Sequence, residues 1–293
     1  MAAQPPELDP LYFACVTWAE RVSAWMDASA GSPFVAANER VVRDVVSDPR
    51  SGARVVVNLG PTALAALLTG ERYRNLYERP LVGGERPTPS RERLQVDDAL
   101  ELDGPDVYFG ALAVGGTGVA FYGEYCAVLV LDAVDPEPRL FDRDSYDILF
   151  PPFEGREDLS HLVEALRGTW EERFDMLVLS VLPGLTSGPR IVTSGTVAQA
   201  VLRDQQFVEV HLHVPSTGTG RGGFELSDIE EVRESPDVVT TTAWLRRRAD
   251  AGHRLSDVEQ KLMEDREGVE ELLALGGVRR RVVTQHDRGY QWA

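Results

Sequence analysis

Phe207 to Val214 (FVEVHLHV) alternate without a break, and strict alternation reads as a strand with two unlike faces. Val208, Val210, Leu212 and Val214 make an aliphatic face that demands a core. Phe207, Glu209, His211 and His213 make the other. A carboxylate in such a strand is costly if buried without a partner. Either this face is wetted by solvent, or it borders a cleft into which Glu209 points. In a cleft, Glu209 would stabilise a developing cation or accept a hydroxyl proton. His211 and His213 have chelating spacing and, with Glu209, would suit zinc, although no fourth ligand lies nearby and a polar strand face is the plainer reading.

The rest of the pattern is mixed. Leu11 to Ala28 carries one apolar helical face, and Val41 to Val46 continues helical with Asn38 as its N-cap. Arg54 to Leu59 is a β-branched run that predicts a buried strand. Gly60-Pro61 turns the chain into a short helix over Thr62 to Leu68, which Gly70 ends. Pro80 to Pro105 is polar and proline-rich and reads as a long loop or lid. Val107 to Val114 and Tyr125 to Leu131 read as strands, joined through Gly115, Gly116 and Gly118 as a hairpin turn. Leu159 to Trp170 reads as a helix and Met176 to Leu182 (MLVLSVL) as a strand covered on both faces. Ile191-Val192 reads as a strand end, with Ser194 capping a helix through Leu202. After a Gly/Thr loop at Ser216 to Gly223, helices are expected at Ser227 to Glu234, Thr241 to Ala249 and Ser256 to Leu275, then a strand at Arg279 to Thr284. Strands spread this way, without regular strand–helix alternation, predict an α+β domain.

Charge narrows the partners. The chain of 293 residues carries 47 acidic and 30 basic side chains, a formal net charge of −17. Such a chain repels polyphosphate and anionic membrane surfaces. No segment approaches the apolar length needed to span a bilayer. Met1 to Pro10 lacks a basic region followed by an apolar core, so a cytoplasmic protein is the expectation. Cys15 and Cys126 are the only cysteines; two distant thiols make neither a disulfide scaffold nor a closed zinc site, and Cys126 is expected to be buried and reduced.

Gly115-Gly116-Thr117-Gly118 lacks the lysine of a Walker motif, and Gly218 to Gly223 is only a loose glycine-rich match. No G-x-S-x-G elbow is present. Arg72-Tyr73-Arg74-Asn75-Leu76-Tyr77-Glu78 offers planar cations for phosphate and aromatic faces for stacking; a surface segment with Arg–Glu pairs is the alternative.

Several short blocks occur in a telling order: Val55-Val56-Val57-Asn58, Gly70-Glu71-Arg72-Tyr73-Arg74, Tyr108-Phe109-Gly110-Ala111-Leu112 with Phe121-Tyr122-Gly123, Asp144-Ser145-Tyr146, and Phe207-Val208-Glu209-Val210-His211. Together they resemble an uncharacterised bacterial family, common in actinomycetes, whose members look like ADP-ribosyltransferases of the DarT and poly-ADP-ribose polymerase type. The resemblance covers about residues 53–232. It implies a bent or split β-core holding NAD as a substrate, with helical N- and C-terminal additions. The boundaries expected are a helical extension over 1–50, the core over 51–236 and a C-terminal helical segment over 237–293. Glu209 matches the glutamate that stabilises the oxocarbenium-like transition state as nicotinamide leaves. Tyr108 matches the tyrosine that stacks on the nicotinamide, with Tyr122 second. Arg72 or Arg74 would bind the phosphates, with Asn58 and Gly110 also lining the NAD site. The family pattern has a histidine or arginine where this chain has Asn58-Leu59-Gly60.

The leading expectation is therefore an NAD-dependent ADP-ribosyltransferase whose acceptor is a protein or small molecule rather than a long nucleic acid. The alternatives are a non-catalytic, immunity-like protein that binds a basic partner, and a metal-dependent hydrolase using His211 and His213.

Overall fold

A computed structural model describes residues 15, 17–75, 77, 89–149, 159–185, 191–202, 207–214 and 222–283. The expected lead-in at Met1 to Pro10, the start of the first helix, most of the Ser216 to Gly223 loop and residues 80–88 of the expected lid lie outside them. In chain order the elements are α1 (Trp18–Ala28), α2 (Val35–Ser47), β1 (Ala53–Leu59), α3 (Pro61–Leu68), α4 (Arg91–Leu100), β2 (Val107–Val114) and β3 (Tyr125–Leu129). There follow α5 (Leu131–Val134), β4 (Arg139–Phe141), α6 (Leu159–Leu166), β5 (Arg167–Gly168), α7 (Arg173–Leu185) and α8 (Ser194–Ala200). The chain continues with β6 (Glu209–His213), β7 (Ile229–Glu234), α9 (Pro236–Asp250), α10 (Asp257–Gly276) and β8 (Arg279–Val282). The fold is mixed α and β, as expected.

The strands join one open sheet in the order β5-β4-β6-β2-β1-β3-β7-β8. Its ladder is forked in the middle. β1 and β2 face each other only from Ala53↔Val114 to Val56↔Ala111. Beyond that point β1 pairs with β3, through Leu59↔Tyr125, while β2 pairs with β6, back to Val107↔His213. Each arm keeps its hydrogen-bonding on its outer side, so the two can part without leaving both edges unpaired. Gly110 sits at the base of the fork. A Cβ there would stand 2.8 Å from the Val56 carbonyl oxygen, so the close approach of the strands requires glycine.

Helices α1, α2, α7 and α8 pack together and against the sheet, and α10 packs on α3 and α9. A second, smaller core joins α4, α6 and β4 through Val96, Leu100, Phe141, Ile148 and Leu162. Cys126 is buried and unbridged, and burial pushes its thiol up to about 12.

Several expectations are corrected. Met176 to Leu182 lies within helix α7, not a strand. An apolar run of this length suits either element, and here it is helical because neighbours surround it on successive faces. Ile229–Glu234 is a strand, not a helix; it pairs with β3 and, in parallel, with β8. Arg233 Nε donates to Glu231 Oε1 at 2.6 Å, a contact between residues two apart on one strand face. Helix α4 occupies the middle of the expected lid, capped by Ser90, whose side chain accepts from the Arg93 N–H. Asn38 is not an N-cap but an interior residue of α2, and its Oδ1 accepts from the Val192 N–H at 3.0 Å. The helix after residue 158 stops at Leu166, and β5 follows. Ile191 and Val192 belong to no strand, whereas the strand expected from Arg279 is present as β8, with Thr284 outside the described residues.

The Gly115 to Gly118 segment is not a hairpin turn. β2 and β3 are both antiparallel to β1 and flank it, so residues 115–124 cross over β1 to start a parallel strand. Asn58 clamps this crossover. Its Nδ2 donates to the carbonyls of Thr117 and Gly123, both at 2.8 Å, and its Oδ1 accepts from the Val119 N–H at 2.8 Å. Gly118, at φ 66°, packs against the Asn58 side chain with no room for a Cβ. Asn58→Ala should therefore lower the unfolding free energy by about 2–3 kcal/mol in urea denaturation. Unchanged stability would make Asn58 dispensable to the crossover.

Candidate functional site

The two arms of the fork bound a cavity of about 330 Å³. One wall is Val57 to Gly60 of the β1 arm, and the other is Val107 to Ala111 of the β2 arm. Tyr73, Asn75 and Tyr77 close it from the segment after α3, Arg93 from α4, and Tyr122 from the crossover. Asp144 and Tyr146 come from the turn after β4, and Phe207 and Glu209 from the β6 region.

Glu209 is placed by the alternation of β6. It pairs with Ala111 on one side and Phe141 on the other, and it is only 4% exposed. The wetted-face alternative is thus overturned. Its charge is compensated by directed bonds: Oε1 lies 2.6 Å from His211 Nε2, and Oε2 accepts from the Ser145 N–H at 2.9 Å. The His211 ring is itself wedged, stacked on Phe141 and edge-on to Phe109. These contacts fix the carboxylate in one orientation.

The cavity lining includes Glu209, Tyr108, Asn58, Gly110 and Tyr122 of the sequence-predicted residues, but neither Arg72 nor Arg74. Register separates two of these. Tyr108 pairs with Leu212, whereas Glu209 pairs with Ala111, so Tyr108 and Glu209 lie on opposite faces of the sheet. Tyr108 is 1% exposed and packs in an aromatic cluster with Tyr73 and Phe224. Tyr122 lies on the Glu209 side. It is 48% exposed, and its hydroxyl donates to Asp144 Oδ2 at 2.6 Å.

The arginines of the 72–78 cluster do not line the cavity. Residues 71–75 belong to no helix or strand. Tyr73, Asn75 and Tyr77 face the cavity, while Arg72 reaches the Gly223 carbonyl at 3.3 Å and Glu225 at 3.5 Å. Asn75 ties this segment to the start of β2, its Nδ2 donating to the carbonyls of Gly104, Pro105 and Val107 at 2.8–3.0 Å.

Sequence reasoning missed Arg93, Asp97, Asp144 and Tyr146 as site residues. Arg93 is buried, with its guanidinium 4.2 Å from the Phe109 ring centre and 5.2 Å from that of Tyr146. Its Nε donates to Asp97 Oδ1 at 2.7 Å, one helical turn away. The available signal was Ser90 as a cap, followed by an Arg93/Asp97 pair at i,i+4.

The electrostatics are acidic. Glu209 and Asp144 are opposed in the cavity by Arg93, which is already paired with Asp97. Burial, and then the Glu209 charge, hold the Asp144 carboxyl above the usual carboxylate range. Among the described residues no group of three or more His, Cys, Asp or Glu is placed to hold a metal ion. His211 is engaged with Glu209, and the His213 side chain is exposed.

No protein-family model and no curated protein matches the sequence.

The raised Asp144 value has a consequence for stability. The folded protein holds this proton more tightly than the unfolded chain. Its stabilising share is complete below about pH 4 and is lost as pH rises through the raised native value. Asp144→Asn should flatten this part of the fall in urea-unfolding free energy between acid and neutral pH. An unchanged slope would remove Asp144 from the pH dependence.

Proposed function

We propose that this protein is an NAD-consuming, ADP-ribosyltransferase-like enzyme and that the fork cavity takes the nicotinamide–ribose half of NAD. The observation that carries the reading is Glu209, buried at the cavity and fixed by His211 and Ser145. The ring leaving NAD is a cationic pyridinium, and the charge then passes to the ribose. An oriented carboxylate in a water-poor cavity favours that charge most where it develops, in the transition state. The surrounding rings, Tyr122, Tyr146 and Phe109, suit a flat cationic ligand. The cavity is near the lower end of ligand-pocket sizes, so the diphosphate and adenosine extend beyond it.

In this reading Tyr122 replaces Tyr108 as the tyrosine beside the reacting end, because it lies on the same side as Glu209. Among the described residues Arg93 is the arginine that lines the cavity, and Arg72 and Arg74 would meet only the part of the ligand that extends outside. The net charge of −17 favours a protein or small-molecule acceptor over a long nucleic acid.

Incubation with NAD should release nicotinamide, and Glu209→Gln should slow that release by about 100- to 1,000-fold while leaving NAD binding in place. Equal release by both forms would remove Glu209 from the mechanism. Absence of NAD binding by the wild-type protein would overturn the proposal.

A further inference from the structure

We propose that Asp144 is a second catalytic carboxylate of the cavity, the base that takes the proton from a hydroxyl acceptor as it attacks the ribose. This rests on the NAD-consuming reading and adds the acceptor's chemical class.

The geometry is that of one turn holding two carboxylates. Ser145 donates its backbone N–H to Glu209 Oε2 at 2.9 Å. The preceding residue, Asp144, accepts the Tyr146 N–H on Oδ1 at 2.9 Å and the Tyr122 hydroxyl on Oδ2 at 2.6 Å. Both carboxylates line the cavity, and their spacing is set by consecutive residues of a short segment. A second carboxylate beside Glu209 adds repulsion, and one fixed carboxylate already serves to stabilise the cation. The two environments differ, however. Glu209 has one oxygen against the His211 imidazole and the other on a backbone N–H. Among the described residues Asp144 makes no bond to an imidazole or guanidinium, and a carboxylate with two bonds keeps further lone-pair sites open.

The groups facing Asp144 are Tyr122 from the crossover, Glu209 from β6 and Arg93 from α4, with Tyr146 and Asp147 from its own turn. Burial and Glu209 raise its proton affinity; Tyr122, the Tyr146 N–H and Arg93 act in the opposite sense. A carboxylate with raised proton affinity is a stronger base than an ordinary carboxylate.

The step balances without an oxidant or reductant. The acceptor oxygen forms a bond to ribose C1′. The bond from C1′ to the pyridinium nitrogen breaks, and its electron pair leaves with neutral nicotinamide. The acceptor's proton passes to Asp144. Such a site selects a neutral hydroxyl, whether of water or of a larger molecule. A carboxylate acceptor has no proton to give and would be repelled by Glu209 and Asp144 together.

The test uses the full chain with Asp144→Asn, Glu209→Gln and wild type. NAD binding is followed by calorimetry, nicotinamide release as a function of pH, and products by mass. Wild type should release nicotinamide with a limb that rises as Asp144 ionises, giving free ADP-ribose if water is the acceptor and an O-linked adduct if an added alcohol is. Asp144→Asn should bind NAD but turn over about 100-fold more slowly and lose that limb. Azide, an anion that needs no deprotonation, should restore release by Asp144→Asn and form azido-ADP-ribose, and it should not rescue Glu209→Gln. Wild-type turnover by Asp144→Asn, or a slow variant that binds NAD and ignores azide, overturns the role of Asp144. A wild-type protein that neither binds NAD nor releases nicotinamide overturns the underlying function and this proposal with it.

Discussion

The central constraint is the parting of β1 and β2. Their shared ladder ends at Val56 and Ala111, and from there each strand is held by its outer neighbour, β3 or β6. A gap within a sheet is stable only when the backbone and side chains along it find other partners. Asn58 supplies part of the answer by binding the crossover with both ends of its amide, and Asn75 fastens the other arm. Gly110 lets the strands close at the base. The cavity follows from this geometry, and its charged side chains are those that β6, α4 and the turn after β4 bring to its walls.

Two carboxylates in unequal surroundings line that space. Glu209 is bonded on both oxygens, whereas burial and the Glu209 charge hold the Asp144 carboxyl above the usual carboxylate range. Arg93 is held between rings and tied to Asp97, which limits what it can offer to an incoming phosphate. The acidic balance of the whole chain is thus repeated on a small scale, and it favours a cationic ligand end over an anionic one.

The sequence made Glu209 legible because alternation leaves one orientation for each residue of β6. The strands at 53–59 and 107–114 were legible for the same reason, since β-branched and apolar runs bounded by turns resemble little else. Arg93 was hidden because prolines on both sides made its segment read as a lid, although Ser90 is an ordinary cap. Arg72 and Arg74 were chosen by chemistry alone, and a segment without regular structure gives no periodicity from which to tell that Tyr73, Asn75 and Tyr77 line the cavity instead. Met176 to Leu182 and Ile229 to Glu234 were misread because their state depends on what packs around them. The crossover was misread because glycines mark a bend without saying which strands it joins.

The most direct test of the central claim is hydrogen–deuterium exchange of the full chain with and without NAD. Protection should appear in the two arms of the fork, residues 57–60 and 107–111, and in the 144–146 turn, with helices α9 and α10 unchanged. Protection confined to other elements, or none at saturating NAD, would contradict the assignment of the fork as the ligand site.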